Sequence, residues 1–536
     1  MNRRVEIRFL ALVGLAILGG CGGGAPDDSS TLNRGLANEP DSLDPQRSTS
    51  IQGHRVFIDL YEGLLRHSAS GELIGGVARD WSVSSDGLTY TFQLDPKARW
   101  SNGDRVTAGD FEFTLKRLVD PKTAAFYGAF VSSIVNAPEI TAGELGPDEL
   151  GVSAESDDVL KIRLSKPTAY FAQLLTHPST SPLHEGSIKE HGRAFTKPEN
   201  LLTNGAYVLD DFTPGSVVRL KKNPYYRDSE NVAIEKVNYL ISVDSDTMFN
   251  RYRAGDIDIT TTVPVGSFEK IKQEMADELK IAPQLGLYYY AFNLTKAPFG
   301  DNKKLRQALS MVIDREVLVD RILGRGEVAA YSWVPPGIEG YEPAQLAFAS
   351  MNKEERISEA RRLYEGAGFS DENPARFELR YNVSEGETTI ALAIQSMWKK
   401  ELGAEAELVN EEFRVLISNI QQMTITEAYR LSWVGDYFDP YTFMQLMETG
   451  NPQNLTGYSN AEYDRVMKEA EVSIDQDERM SLFREAESIM LADYPAIPLY
   501  FYVSKHLVRN NVKGWQKTTL DFHPSQYLSL VENDVE

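Results

Sequence analysis

Leu431-Ser432-Trp433-Val434-Gly435-Asp436-Tyr437-Phe438-Asp439-Pro440 sets the reading of this 536-residue chain. An apolar run, 429–434, meets Gly435, then a carboxylate and two aromatics, and Pro440 stops any regular continuation. The pattern predicts a buried strand whose end opens into a loop. Asp436 falls where that strand leaves the core, beside Trp433 and Tyr437. A carboxylate beside aromatics is costly to desolvate unless a cation meets it. On the residues alone, it caps the following turn or pairs with an arginine.

Around this stretch, helix patterns cover 305–323, 353–366 and 388–402, with Gly368 and Gly403 where C-caps are expected. Strands at 377–381 and 405–409 lie between them. Alternating helices and strands predict a parallel-sheet α/β lobe that holds 431–440. A long aromatic strand, 288–293, precedes that lobe's helices. Helices at 461–470 and 476–492 and a last buried strand, 497–503, follow.

Upstream, Asn38-Glu39-Pro40-Asp41-Ser42-Leu43-Asp44-Pro45 is kept extended by its prolines. A helix is predicted over 56–65. Residues 72–180 form one α+β module. In it, 89–94 alternates as a half-buried strand, Asn102-Gly103 centres a turn, and Thr107 with Asp110 makes a capping box for a helix to about 119. Strands at 159–164, 217–220 and 236–243 follow. A helix at 247–253 is stopped by Gly255. The segment 256–259 is expected to pair back as a strand with Asp256 and Asp258 on its solvated face.

A chain of this length needs two or three domains. Its 42% hydrophobic and 10% aromatic content is that of a globular protein. The net charge of -23 excludes nucleic-acid binding by bulk electrostatics. The single cysteine, Cys21, excludes an internal disulfide and a cysteine-rich zinc site. His177, His184 and His191 are the only closely spaced histidines. Their spacing fits no helical metal pair, so a solvated loop and no metal are expected. The chain carries no His-Glu-x-x-His, Gly-x-Ser-x-Gly or Walker A pattern. Gly324-Arg325-Gly326 follows a helix, not a strand, so it is no dinucleotide loop. No catalytic residue, cofactor or enzymatic activity is expected.

Arg3, Arg4 and Arg8 precede an eleven-residue apolar run, 9–19. A membrane span needs roughly 20 residues, so this reads as an export signal. Leu18-Gly19-Gly20-Cys21 resembles the bacterial lipobox, which implies a signal peptide at 1–20 and a lipid on Cys21. Residues 21–31, small and polar, read as a flexible tether.

From about 36 to 515 the chain resembles the oligopeptide-binding proteins of peptide ABC transporters, the bacterial extracellular solute-binding protein family 5 of peptide/nickel type. Besides 431–440, the motifs that carry this include Tyr61-Glu62-Gly63-Leu64-Leu65, Ala78-Arg79-Asp80-Trp81, Ala297-Pro298-Phe299, Ile313-Asp314-Arg315, Tyr364-Glu365-Gly366-Ala367-Gly368-Phe369, Trp398-Lys399-Lys400-Glu401-Leu402-Gly403 and Tyr458-Ser459-Asn460. The resemblance implies an α/β, three-lobed periplasmic-binding-protein-like fold of type II with an extra inserted domain and a ligand cleft between two lobes. Domain I is expected at 32–51, 180–285 and 504–536, inserted domain II at 52–179, and domain III at 286–503.

By the same resemblance, Asp436 takes a peptide's α-amino group, and Ser432 and Val434 pair with its backbone opposite the segment of Glu39. Arg430 meets a carboxyl end or holds an acid cluster. Trp398, Trp433, Tyr127, Tyr289, Tyr500 and Tyr502 wall the pockets, and Asn454 is set beside them. Backbone pairing gives affinity without sequence preference, which suits varied peptides. The partners implied are peptides and the permease and ATPase subunits of an importer, and the membrane is reached only through the lipid. A monomer on the extracytoplasmic or periplasmic face is expected. Receptors of the same fold for murein peptides, nickel chelates or opines are the alternatives, with an exported hydrolase behind them. Val434 and Phe438 depart from the family's common Cys and Asn, and both positions bear on ligand preference.

Overall fold

The computed structural model describes residues 30–423 and 427–531. The export signal, Cys21 and nearly all of the tether lie outside the described residues. Among those described, no helix is long and apolar enough to cross a membrane.

Three sheets organise the chain. The largest has six strands, in the order Val328–Ala329, Ala496–Leu507, Leu279–Phe292, Ala428–Val434, Arg376–Asn382 and Glu405–Glu411. It is mixed, where a parallel sheet was expected. Arg376–Asn382 runs parallel to both neighbours, because helix Glu385–Leu402 supplies the crossover to Glu405–Glu411. Leu279–Phe292 runs antiparallel to both of its neighbours. A core of aromatic and aliphatic side chains from 285 to 501 packs on this sheet.

The second sheet places Thr31–Leu36 parallel to Lys236–Ile241, followed by Val217–Lys222 and Tyr207–Thr213. The first described residues are thereby tied to a region about 200 positions later. The third sheet, Ala78–Val83, Thr89–Leu94, Val159–Arg163 and Val152–Ser156, is antiparallel throughout. The capping box is present: the Asp110 carboxylate accepts from the Thr107 N–H at 2.8 Å and starts helix Ala108–Val119. Strands Leu279–Phe292 and Ala496–Leu507 run unbroken through positions 285/286 and 503/504, the places where a domain change was expected.

Four local expectations are corrected. The helix expected over 56–65 is Ile51–Leu60, capped by Ser50. It stops there because Asn204 binds both backbone groups of Glu62, at 3.1 and 2.8 Å. The helix expected over 305–323 breaks after Met311, where Asp314 caps a new turn through the Val317 N–H at 3.1 Å. Buried Arg315 holds the break by donating to the carbonyls of Ser310 and Pro498. The segment 256–259 makes only bridges at Ile259, to Arg34 and Val508. Asp258 is turned inward there and accepts from the Asn33 N–H at 2.8 Å.

Candidate functional site

Strand Ala428–Val434 lies between Leu279–Phe292 and Arg376–Asn382. Tyr429 and Leu431 enter the core, while Val434 is exposed. Gly435 is closely packed: an added Cβ would lie 2.6 Å from the Leu285 side chain and 3.2 Å from Phe443, so any side chain there would have to displace Leu285. Its N–H donates to the Leu285 carbonyl at 2.8 Å, so the chain turns out of the sheet at that point. Trp433 is fixed by its indole N–H on the Thr442 hydroxyl, 3.2 Å.

The two acids of the stretch have opposite fates. Asp439 is buried and forms a fork with Arg479, at 2.6 and 2.8 Å. Asp436 has no ion-pair partner among the described residues. It is open to cleft water, yet protein encloses it on most sides, and that burial pushes its pKa up to about 6. Neither bland expectation for Asp436, a cap or an arginine partner, is met; those tasks fall to Asp439, which also accepts from the Tyr441 N–H at 3.0 Å.

Asp436 shares one chamber with Tyr127, Val434, His54, His177 and Phe522. Its rim is the 48–51 loop, which Asp41 folds by accepting from the Thr49 N–H at 2.8 Å and the Ser50 hydroxyl at 2.6 Å. Tyr437, next to Asp436, stacks on Tyr170 with centroids 4.9 Å apart and rings 6° from parallel. Lys166 reaches Glu471 at 2.5 Å on the same side. The third sheet's module is therefore fastened to the segment that carries Asp436.

A second group lies along the same strand. Alternation and register put Arg430, Ser432 and Val434 on the face that carries Tyr288 and Tyr290. Arg430 pairs with Glu387 at 3.2 Å and sits 4.9 Å from the centre of the Tyr288 ring, whose hydroxyl also donates to Glu387. Tyr500 stacks on Tyr288 at 4.6 Å, and half-buried Tyr502 meets Tyr500 edge-on.

Several residues expected at the pockets lie elsewhere. Trp398 is wholly buried and donates to the Leu309 carbonyl at 2.9 Å, so it is core rather than wall. Tyr289 is buried edge-on against Trp333, 4.7 Å away. Tyr500 is buried too, and it supports Tyr288 and Tyr502 instead of facing the cleft. Asn454 staples its own loop through the carbonyls of Glu448 and Tyr458, at 3.0 and 2.8 Å. Exposed Glu39 accepts from the Gly215 N–H at 2.8 Å.

Sequence reasoning missed His54, His177, Phe522 and Glu387. His177 is no solvated loop residue. It is half-buried, 4.3 Å from Tyr127, and burial pushes its pKa down to about 3. A further cluster was also missed: His506, Asp521 and His523 present ligand-type atoms within 4.8 Å of one another, all buried. Arg55 already holds Asp521 at 2.6 Å, and His506 donates through Nδ1 to the Thr260 carbonyl at 2.7 Å. The His506 Nε2 lies 2.6 Å from Asp521, a hydrogen-bond distance.

An α/β chain of three main sheets, with a carboxylate at a strand exit inside a cleft and no ion-pair partner for it among the described residues, has the architecture of a type II solute-binding receptor carrying an extra inserted domain. The chain belongs to the bacterial extracellular solute-binding proteins, family 5, whose model matches residues 72–454. It is 36% identical over 490 residues to the periplasmic murein peptide-binding protein MppA of Escherichia coli (strain K12), covering 91% of this chain and 90% of that protein. It is 35% identical over 491 residues to the periplasmic oligopeptide-binding protein OppA of Salmonella typhimurium, covering 91% and 90%. Among solved structures, the unliganded open form of MppA superposes with a TM-score of 0.85 at 34% identity, covering 95% of this chain and 99% of that one. Haemophilus influenzae OppA in complex with RPPGFSPFR gives 0.77 at 34% identity, covering 94% and 100%.

Proposed function

We propose that this protein is an extracytoplasmic receptor that captures oligopeptides by their free amino end and delivers them to an ABC permease. The observation that carries the reading is Asp436, a carboxylate without a cation among the described residues, next to another acid, Asp439, that has one. A peptide ammonium supplies the missing charge. Val434 and Ser432 lie on the adjoining strand, where an extended ligand would pair, with the segment of Glu39 opposite. Tyr127, which shares the chamber with Val434 and Asp436, would flank the ligand, with Trp433 and half-buried Tyr502. Arg430 would receive a carboxyl end only by exchanging Glu387 for it.

The names of the relatives support a peptide ligand. We assign the lobes to 32–51, 180–285 and 504–536 for domain I, 52–179 for domain II and 286–503 for domain III. The two long strands that cross between I and III form the hinge. The mature protein is a monomer held to the membrane by lipid on Cys21. Calorimetry with one tetrapeptide, free and N-acetylated, tests the reading. Tight binding of the free peptide and at least about tenfold weaker binding of the blocked one is expected, the loss of roughly one charge-assisted hydrogen bond. Equal binding of the two would refute it.

A further inference from the structure

Two voids meet beneath Asp436, and both are lined by His54, Phe57, His177, Pro178 and Phe522. The walls are flat rings. His54 lies on Phe522 with centroids 4.0 Å apart and rings 11° from parallel. His177 meets His54 edge-on at 5.2 Å, and Tyr127 closes on His177 at 4.3 Å.

The chamber is also short of negative charge. At its far end stand Glu62 and Arg66. Glu62 is fully engaged: it accepts from Tyr226 at 2.9 Å and from Arg227 at 2.7 and 2.9 Å, and it pairs with Arg66 at 3.3 Å. Asp436 is thus the one chamber carboxylate without a cation among the described residues. Burial pushes both imidazoles well down, so His54 and His177 are neutral at pH 7. The His177 Nδ1 accepts from the Ser179 N–H at 3.2 Å, which places its proton on Nε2 and leaves a donor, not a lone pair, for the chamber.

We propose that this chamber holds the first side chain of the bound peptide and selects flat aromatic and large apolar side chains over cationic ones, with His54 and His177 as the specificity-determining residues. The proposal rests on Asp436 taking the peptide ammonium. Once it does, the first side chain is delivered to the rings beside it. A phenyl group gains edge and face contacts with His54, His177 and Tyr127. A lysine or arginine in the same place brings a second cation, and no carboxylate among the described lining residues is left to meet it; Asp41, behind the rim, is taken up by the Thr49 N–H and the Ser50 hydroxyl. Its charge would be desolvated next to Arg66 and a His177 N–H. Where His54 and Phe522 stack on each other, one face of each ring is closed to it.

The test uses the full mature protein and tetrapeptides X-Ala-Ala-Ala, with X as Phe, Leu, Ala, Lys or Glu, plus the N-acetylated Phe peptide. Phe and Leu are expected to bind at least about tenfold more tightly than Lys. His177→Glu supplies the missing carboxylate and should raise the Lys-to-Phe affinity ratio at least about tenfold. If all five free peptides bind within twofold of one another while the acetylated peptide binds poorly, the chamber assignment is overturned and the amino-end reading stands. If the acetylated peptide binds as well as its free counterpart, the amino-end reading itself fails. The panel on the native protein decides the question even where His177→Glu does not fold.

Discussion

Replacing Asp436 with Asn isolates the charge that the site lacks. The carboxyl has no cation among the described residues, and burial pushes its pKa to about 6. A bound ammonium would be met by this one group, at the mouth of a chamber walled by His54, Tyr127, His177 and Phe522. A charge-assisted hydrogen bond contributes about 1.5–3 kcal/mol, and leaving a closed-in charge unpaired raises the cost to about 2–5 kcal/mol. Because Asp436 is open to cleft water, the lower end applies, and D436N should weaken free peptides by about ten- to a hundredfold. N-acetylated peptides should bind both proteins alike. Calorimetry over the four combinations gives the coupling directly. The pH dependence has a definite sign. Pairing needs the ionised carboxyl and the protonated peptide amine, so native affinity for free peptides should peak near pH 7 and decline above about pH 8 as the α-amino group loses its proton. Below about pH 6 it should fall roughly tenfold per unit, while D436N stays flat. Stability runs the other way. A carboxyl whose folded pKa is raised holds its proton longer in the native state than in the unfolded chain. Its ionisation therefore costs stability as pH rises from the ordinary carboxylate range through 6. D436N should then melt no lower than the native protein at pH 7.5. Zero coupling between folded proteins, or a melting point several degrees lower, would refute the reasoning and make Asp436 a structural residue.

Three further outcomes are expected. Asp439→Ala strands the buried Arg479 guanidinium and should cost about 3–5 kcal/mol in denaturant unfolding, against little change for Asp436→Ala. Gly435→Ala drives a methyl into Leu285 and should lose about 1–3 kcal/mol of stability and displace the Asp436 loop, read as lowered peptide affinity. Fatty-acid labelling in cells should mark the native chain and not Cys21→Ser, and label retained by the variant would remove the anchor from the account.

Much of the fold was legible because its cues are local. Thr107 with Asp110, Gly255, Gly403 and the strand exit at Gly435 each fix their own turn, and each stands where its sequence placed it. What the sequence hid depends on distant partners. The pairing of Leu279–Phe292 with two antiparallel neighbours joins residues about 140 and 210 positions apart, and no alternation pattern encodes that choice. The site divides in the same way. Asp436 is visible as a lone acid at the end of an apolar run. Trp398 and Tyr289 carry the same aromatic signal as Tyr127, yet only burial separates core from wall. His54, His177 and Phe522 come from three remote segments and share no spacing, so nothing short of the fold assembles them. Glu387 is one acid among 78 until Arg430 is placed beside it.

The most direct test of the central claim, that this protein captures peptides through their free amino ends, is native mass spectrometry of the protein purified from its own cells without denaturation. A heterogeneous set of bound masses is expected, released by collision and sequenced as peptides with unblocked amino termini, and much reduced in D436N. A protein that carries no peptide, or that carries blocked and free peptides in equal measure, would contradict it.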